Sequence, residues 1–128
     1  MVDLPSVWKH KVQLRIGKGD GSSVITAGVI FDAPIALYDY DILEWILESD
    51  ISTTAVMDVW VVKSPTVPIV AKSITASAKP SLTAALFNSS STLTGWKTRI
   101  LAGDRIMYNV DSNNNAKALT LSLILRRI

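Results

Sequence analysis

The sequence predicts an all-β fold, specifically a single antiparallel β-sandwich of jelly-roll type. Apolar and polar residues alternate with a period of two along several stretches, which is the pattern of half-buried strands. Clusters of Gly, Asp, Asn, Ser and Pro separate these stretches, as turns do between strands. The chain of 128 residues is long enough for one domain whose core needs neither a metal nor a disulfide.

Each predicted strand is a run of alternating or β-branched residues that ends at turn residues. The predicted strands cover residues 12–16, 24–31, 54–63, 96–101, 105–110 and 119–125. Turns are predicted at 17–23, 102–104 and 111–115. Regularly spaced short strands of this kind are typical of sandwiches and barrels.

Two stretches fit this scheme less directly. In residues 35–48, Tyr38, Ile42 and Ile46 would share one helical face, but the same stretch also alternates, and its Tyr, Ile and Trp content favours a strand. Residues 64–95 have weak periodicity and predict a long surface connection, with one short helical turn at 81–87. The expected division is an N-terminal arm and first strand region at 1–20, followed by the sandwich at 21–128.

Composition favours an assembling protein over a nucleic-acid or membrane protein. The hydrophobic fraction of 48% with only 19% charged residues predicts apolar surface that other subunits cover, in an oligomer or a lattice protein. The formal net charge is only +2, and the basic residues do not alternate with aromatic ones, so no nucleic-acid partner is expected. No apolar run approaches ~20 residues, and residues 1–20 contain no secretory segment. We therefore expect that the protein is made in a cytoplasm and that it does not insert into a membrane.

The residues that carry chemistry are too few to predict an enzyme. His10 is the one histidine and no cysteine is present, so a nucleophilic triad, a transition-metal site and a bound cofactor are not expected. Asp39 and Asp41 would share a strand face and could form a carboxylate pair, but a solvent-facing position explains them better.

Two loop motifs resemble binding sites only in part. Asp111, Asn113 and Asn115 alternate like the start of a calcium loop, but the glycine and glutamate that complete such a loop are missing. The glycines of the 17–23 turn are followed by a strand pattern and not by a helix, so a hairpin explains them better than a phosphate site.

The four tryptophans are the remaining candidates for contact residues. Trp60 alternates with valines and is predicted to lie in the core, whereas Trp96 follows a turn and could be buried or exposed. Trp8 lies in the N-terminal segment with few packing partners. It is therefore the candidate interface anchor.

Several sequence blocks, in order, resemble a small β-sandwich domain of tailed-bacteriophage virion proteins. The most specific block is Lys72-Ser-Ile-Thr-Ala-Ser-Ala-Lys-Pro80-Ser-Leu82, which Val56-Met-Asp-Val-Trp60 precedes and Thr92-Leu-Thr-Gly-Trp96 follows. The later blocks are Ile100-Leu-Ala-Gly-Asp-Arg-Ile106, Asn109-Val-Asp-Ser112 and the strand Leu119–Leu125. Together with a looser match upstream, the resemblance covers about four-fifths of the chain.

The resemblance implies a non-enzymatic virion component of the head-fibre, tail-fibre or capsid-decoration type. Its signature residues imply architecture and not catalysis: they are Asp58, Trp60, Pro80, Leu82, Gly95, Trp96, Gly103, Asp104 and Asp111. A head decoration protein bound to the major capsid protein is the first expectation. The alternatives are a tail or fibre tip that contacts a host surface glycan, and a free carbohydrate-binding module.

Overall fold

A computed structural model of the chain describes residues 11–30 and 34–128. The described chain is almost entirely antiparallel strand, which confirms the all-β prediction. The strands are β1 (Lys11–Lys18), β2 (Gly28–Ile30), β3 (Tyr40–Lys63), β4 (Ser81–Ser90), β5 (Arg99–Ile100), β6 (Asp104–Asn113) and β7 (Leu119–Arg127), with a short 3₁₀ turn at Val70–Lys72. Across the described ranges, no helix is long and apolar enough to cross a membrane.

The central feature is β3, a strand of 24 residues that belongs to two layers. Its first half pairs with β7, and β7 pairs with β1, which forms layer I. Its second half pairs with β6, and β6 pairs with β2, which forms layer II. Register shifts fall between Glu48 and Ala55 and between Val56 and Met57, where the strand passes from one layer to the other, and a further shift against β7 lies between Ile42 and Glu44. Such irregularities bend a strand and increase its twist.

The two layers enclose one hydrophobic core. Both halves of β3 contribute buried side chains to it, among them Leu47 from layer I and Met57 from layer II. The Tyr108 hydroxyl of β6 donates a hydrogen bond of 3.3 Å to the Leu14 carbonyl of β1 and so joins the layers. Burial raises the pKa of this hydroxyl well above its ordinary value. The domain is thus an antiparallel β-sandwich, and the jelly-roll connectivity stays a prediction.

The strand interpretation of residues 35–48 holds from Tyr40 onward, because this stretch is the first half of β3 and not a helix. The predicted strand at 54–63 is the second half of the same strand. The helical turn at 81–87 is wrong: these residues lie in β4, where Leu82 is buried and pairs with Ala55. Residues 64–95 are therefore two connections with a strand between them.

Other predicted bounds also differ. Of the strand at 24–31 only Gly28–Ile30 is a strand within the described residues, and the strand at 96–101 shortens to Arg99–Ile100. The turn at 111–115 begins later, since β6 continues to Asn113 by pairing with β3. Asp111 is therefore a strand residue.

The glycine-rich segment after β1 is not a hairpin turn. β1 pairs with β7 and β2 pairs with β6, so residues 19–27 cross from layer I to layer II. Backbone hydrogen bonds from Gly21 to Lys117 and from Ile25 to Ala116 hold this crossing against the β6–β7 connection.

Replacing Gly19 with alanine is expected to destabilise the protein by about 2–4 kcal/mol. Gly19 has a φ of +86°, and a Cβ there would lie 2.2 Å from the Lys117 carbonyl oxygen. Gly21 is a matched control, because its φ is +85° but nothing lies within 4 Å of an added Cβ. Gly21→Ala should lower the free energy of unfolding by only about 1 kcal/mol, as measured by urea unfolding. Equal losses at the two positions would contradict the close approach.

Candidate functional site

The connection 64–80 packs on the face of layer II that points away from the core. Trp60 of β3 and Met107 of β6 lie on this outer face, yet they are only 8% and 2% exposed. Residues 67–70 lie beside both side chains, and Ser73 then bridges to Trp60 along the edge of β3. This connection therefore covers part of the outer face of layer II as an additional packed segment.

Asp58 fixes this connection to the sheet. It is fully buried, and its Oδ1 accepts hydrogen bonds of 2.7 Å from the hydroxyls of Ser73 and Thr75. Its Oδ2 accepts a bond of 3.1 Å from the indole of Trp60, and the Val59 amide donates to Oδ1. Burial alone would raise its pKa, but these donors together hold the pKa of Asp58 below its ordinary value. The carboxylate is thus a charged structural hub.

Lys79 extends this hub toward β6. Its ammonium lies 2.6 Å from Asp111 Oδ2 and 3.6 Å from Asp58 Oδ2. The hydrogen bond to Asp111 raises the pKa of Lys79, and the nearby Asp58 charge adds to the effect. Asn109 donates to the other oxygen of Asp111 at 2.6 Å. Both carboxylates are therefore occupied by donors of this chain.

The neighbouring loop closes the cluster. The Trp96 indole donates a bond of 2.8 Å to the Ala78 carbonyl, and the Pro80 carbonyl accepts from the Met57 amide at 2.8 Å. Gly95 has a φ of +77°, which permits the turn before Trp96. These contacts join Pro80, Gly95 and Trp96 to connection 64–80, although the Trp96 ring itself packs in the main core. We call them the Asp58 cluster, together with Asp58, Trp60, Ser73, Thr75, Lys79 and Asp111.

The other signature residues lie elsewhere. Leu82 is in the main core at 1% exposed. Gly103, with a φ of +90°, and Asp104 form the turn before β6, where Asp104 accepts the Leu101 amide and lies 3.5 Å from Lys63. The structure thus divides the signature among the Asp58 cluster, the main core and the turn that leads into β6.

Asp39 and Asp41, the possible carboxylate pair, have separate structural partners. Asp39 accepts a hydrogen bond from the Ala102 amide. Asp41 lies 2.9 Å from Arg99 and 3.5 Å from Arg126, and the Arg99 hydrogen bond chiefly holds the pKa of Asp41 below its usual value. A carboxyl whose pKa is lowered is unsuited to act as a general acid.

The calcium-like motif also has structural partners. The Asn113 amide donates to the carbonyls of Ile25 and Ala116, and its oxygen accepts the Ala116 amide. Among the residues that the structure describes, no group of three His, Cys, Asp or Glu side chains is placed to hold a metal.

Three tryptophans are buried, which answers the open question for Trp96. Trp45, Trp60 and Trp96 are 5%, 8% and 8% exposed. None of these rings presents a free face on which a sugar could stack. Trp8 and His10 lie outside the described residues.

The surface does present large apolar side chains beside the connection. Val67, Ile69 and Val70 are 66%, 53% and 67% exposed, and they border a cleft of about 540 Å³, in which Arg105 is the one charged lining residue among those described. A smaller cleft, of about 220 Å³, lies between β1 and residues 34–37, where Leu37 is 77% exposed.

Sequence reasoning missed Ser73, Thr75 and Lys79 as partners of Asp58. The available signal was the position of Asp58 itself, between Met57 and Val59 in an apolar run. A buried carboxylate needs several donors. The Ser- and Thr-rich block after residue 72 was the obvious source of them.

Comparison with known proteins adds little to this geometry. No protein-family model and no curated protein sequence matches the chain. One similar solved structure, described as "CBM4 structure and function", is 15% identical with a TM-score of 0.31, and the alignment covers 91% of this chain and 84% of that one. Another, of infectious bursal disease virus Gx strain, is 11% identical with a TM-score of 0.30 and covers 92% and 37%. At TM-scores this low, neither similarity carries an argument.

Proposed function

We propose that this chain is a non-enzymatic structural protein of a tailed-bacteriophage virion, in the first place a head decoration protein that binds the capsid lattice. The observation that carries the proposal is the Asp58 cluster. The sequence blocks that resemble phage virion proteins supply most of it, although they are far apart in the chain.

The cluster supports an architectural role because its polar atoms are committed to one another. In the described residues every buried side-chain nitrogen or oxygen has a hydrogen-bond partner. Large apolar side chains such as Leu37, Val67 and Val70, by contrast, are exposed. A protein of this kind acts through the surfaces that it presents, and exposed apolar groups favour protein partners. Self-assembly as a homotrimer is part of the proposal.

Quantitative mass spectrometry of purified virions tests the location. We expect a ratio of this chain to the major capsid protein near one, or a simple fraction that the lattice sets. A few to a few dozen copies per particle would instead favour a tail, fibre or vertex position. If purified particles lacked the chain, the virion proposal would fail.

Removal of residues 1–10 tests the attachment. This deletion ends before β1 and leaves every described strand in place. We expect the shortened protein to keep the β-sheet circular dichroism and melting temperature of the full chain but to lose binding to undecorated heads. A Trp8→Ala variant should lose most of the binding as well. Full decoration by the shortened protein would rule out the N-terminal segment as the attachment site.

A fibre tip that contacts the host surface is the second candidate, because Val67, Ile69 and Val70 form an exposed apolar rim beside Arg105. A glycan array and a host-cell binding assay with the folded oligomer test it. Binding that a Val67→Ser/Val70→Ser variant loses without unfolding would favour the tip over the head. The free carbohydrate-binding module is less well supported, since the described tryptophans are buried.

A further inference from the structure

The outer face of layer I carries charges in two separate stripes. The registers place alternate residues of β1, β7 and β3 side by side, and the bond of 3.1 Å between Gln13 and Ser122 shows that they share this face. β1 contributes the basic residues Lys11 and Arg15. The first half of β3 contributes the acidic residues Glu44 and Glu48. β7 lies between them, with Ile124 partly exposed, Ser122 buried, and Arg126 at its end paired with Asp41.

These four charges have no partner within the described part of the chain. Asp41, the remaining acidic residue of the face, is occupied by Arg99 and Arg126. Lys11, Arg15, Glu44 and Glu48 form no ion pair among the described residues. The intervening strand keeps the stripes roughly 9–10 Å apart, which is two interstrand spacings. Within the described ranges, nothing therefore occupies the basic or the acidic stripe.

We propose that this face binds the same face of a second copy, about a two-fold axis that runs along β7. Rotation about such an axis exchanges the two sides of the face. The basic stripe of each copy then lies over the acidic stripe of its partner, and Ile124 meets Ile124 near the axis. The arrangement is isologous and closes after two copies.

Within this arrangement the register brings long side chains to opposite charges. Arg15 pairs across the strands with Ser122, which pairs with Ile46, so Arg15 lies level with a point between Glu44 and Glu48. An arginine there reaches either carboxylate of the partner. Ile46 and Ile124 supply apolar contact between the charged stripes.

The contact is expected to be weak and sensitive to salt. Three strands about 4.8 Å apart and about four residue rows give an area of roughly 350 Å² per copy, which is at the low end for protein interfaces. Exposed ion pairs contribute little individually and are screened above about 0.1 M salt. Such a contact links copies that a larger assembly already holds close together. The inference does not depend on the virion proposal.

Sedimentation of the full chain at about 0.5 mM tests the inference. At 20 mM NaCl we expect the weight-average molar mass to rise toward twice that of the unit that persists at 500 mM NaCl. Two double variants should each abolish the doubling, because each gives both stripes the same sign of charge. They are Lys11→Glu/Arg15→Glu and Glu44→Lys/Glu48→Lys. The variant with all four changes should double again, since the stripes are exchanged and the net charge is restored.

A matched control separates the face from net charge. The double variant Lys18→Glu/Lys72→Glu changes the net charge as much as Lys11→Glu/Arg15→Glu does. Both of its substitutions lie off the face, so its molar mass should still double at low salt. Unfolding curves for every variant show whether the sandwich is intact. The inference is overturned if salt leaves the molar mass unchanged, or if the four-change variant is folded but does not double. Neither result depends on whether virions contain the chain.

Discussion

Asp58→Ala is expected to lower the free energy of unfolding by about 3–5 kcal/mol. The substitution leaves the Trp60 indole and the Ser73 and Thr75 hydroxyls without their acceptor. It also removes the charge that lies 3.6 Å from Lys79. Connection 64–80 would lose its main attachment to layer II. Urea unfolding followed by circular dichroism measures the loss, and proteolysis within 64–80 should become faster.

Two variants show whether the charge or the hydrogen bonds are responsible. Asp58→Asn keeps one acceptor oxygen and should cost about half as much as alanine. Asp41→Ala removes a surface carboxylate that has two arginine partners and should cost at most about 1 kcal/mol. If Asp58→Ala cost no more than Asp41→Ala, Asp58 would not be the hub.

The pH dependence follows from the lowered pKa of Asp58. An aspartate titrates near 3.9 in the unfolded chain, so the stabilisation is fully present above about pH 5. It is lost as the pH falls through the lower pKa of the folded state. The difference in stability between the native protein and Asp58→Asn should therefore be largest near pH 7 and shrink toward pH 3. A difference that stayed constant from pH 7 to pH 3 would contradict this origin.

The sequence predicted the strands whose pattern reflects burial on one side. Leu119, Leu121, Leu123 and Leu125 alternate because their side chains enter the core from β7, and all four are buried. β4 escaped prediction for the opposite reason. It pairs with β3 alone, half of its residues are exposed, only Leu82 is buried, and Ala84 adopts a φ of +46° where the register shifts. Its Ser-, Thr- and Ala-rich sequence therefore shows almost no periodicity.

Only part of the candidate site was predictable in its residues, since Ser73, Thr75 and Lys79 were missed, and its connections were not predictable. The resemblance identified Asp58, Trp60, Pro80, Trp96 and Asp111 from sequence blocks, but their contacts join segments up to 53 positions apart, as in Asp58 and Asp111 around Lys79. Such contacts depend on strand pairing. β3 could not be recognised as one strand, because its pattern changes where it passes between layers and exchanges β7 for β6.

Neighbouring residues of β3 point to opposite faces and differ in burial. This difference predicts a second large effect on the free energy of unfolding. Leu47→Ala should cost about 3–5 kcal/mol, because Leu47 is fully buried between the layers and its removal leaves a cavity. Ile46→Ala should cost about 1 kcal/mol or less, since Ile46 is only partly buried on the outer face of layer I. Urea unfolding of the two variants under identical conditions measures the difference.

This pair also separates the strand from the helix that the sequence allowed. In a helix, Ile42 and Ile46 would share the face that packs on the core, and Leu47 would lie beside it. In β3, Ile42 and Leu47 are both buried although they are five positions apart, because the register with β7 shifts between Ile42 and Glu44. Equal losses for Ile46→Ala and Leu47→Ala would be incompatible with that register. A loss at Leu47 several times larger would place Leu47 in the core and Ile46, together with Glu44 and Glu48, on the outer face of layer I.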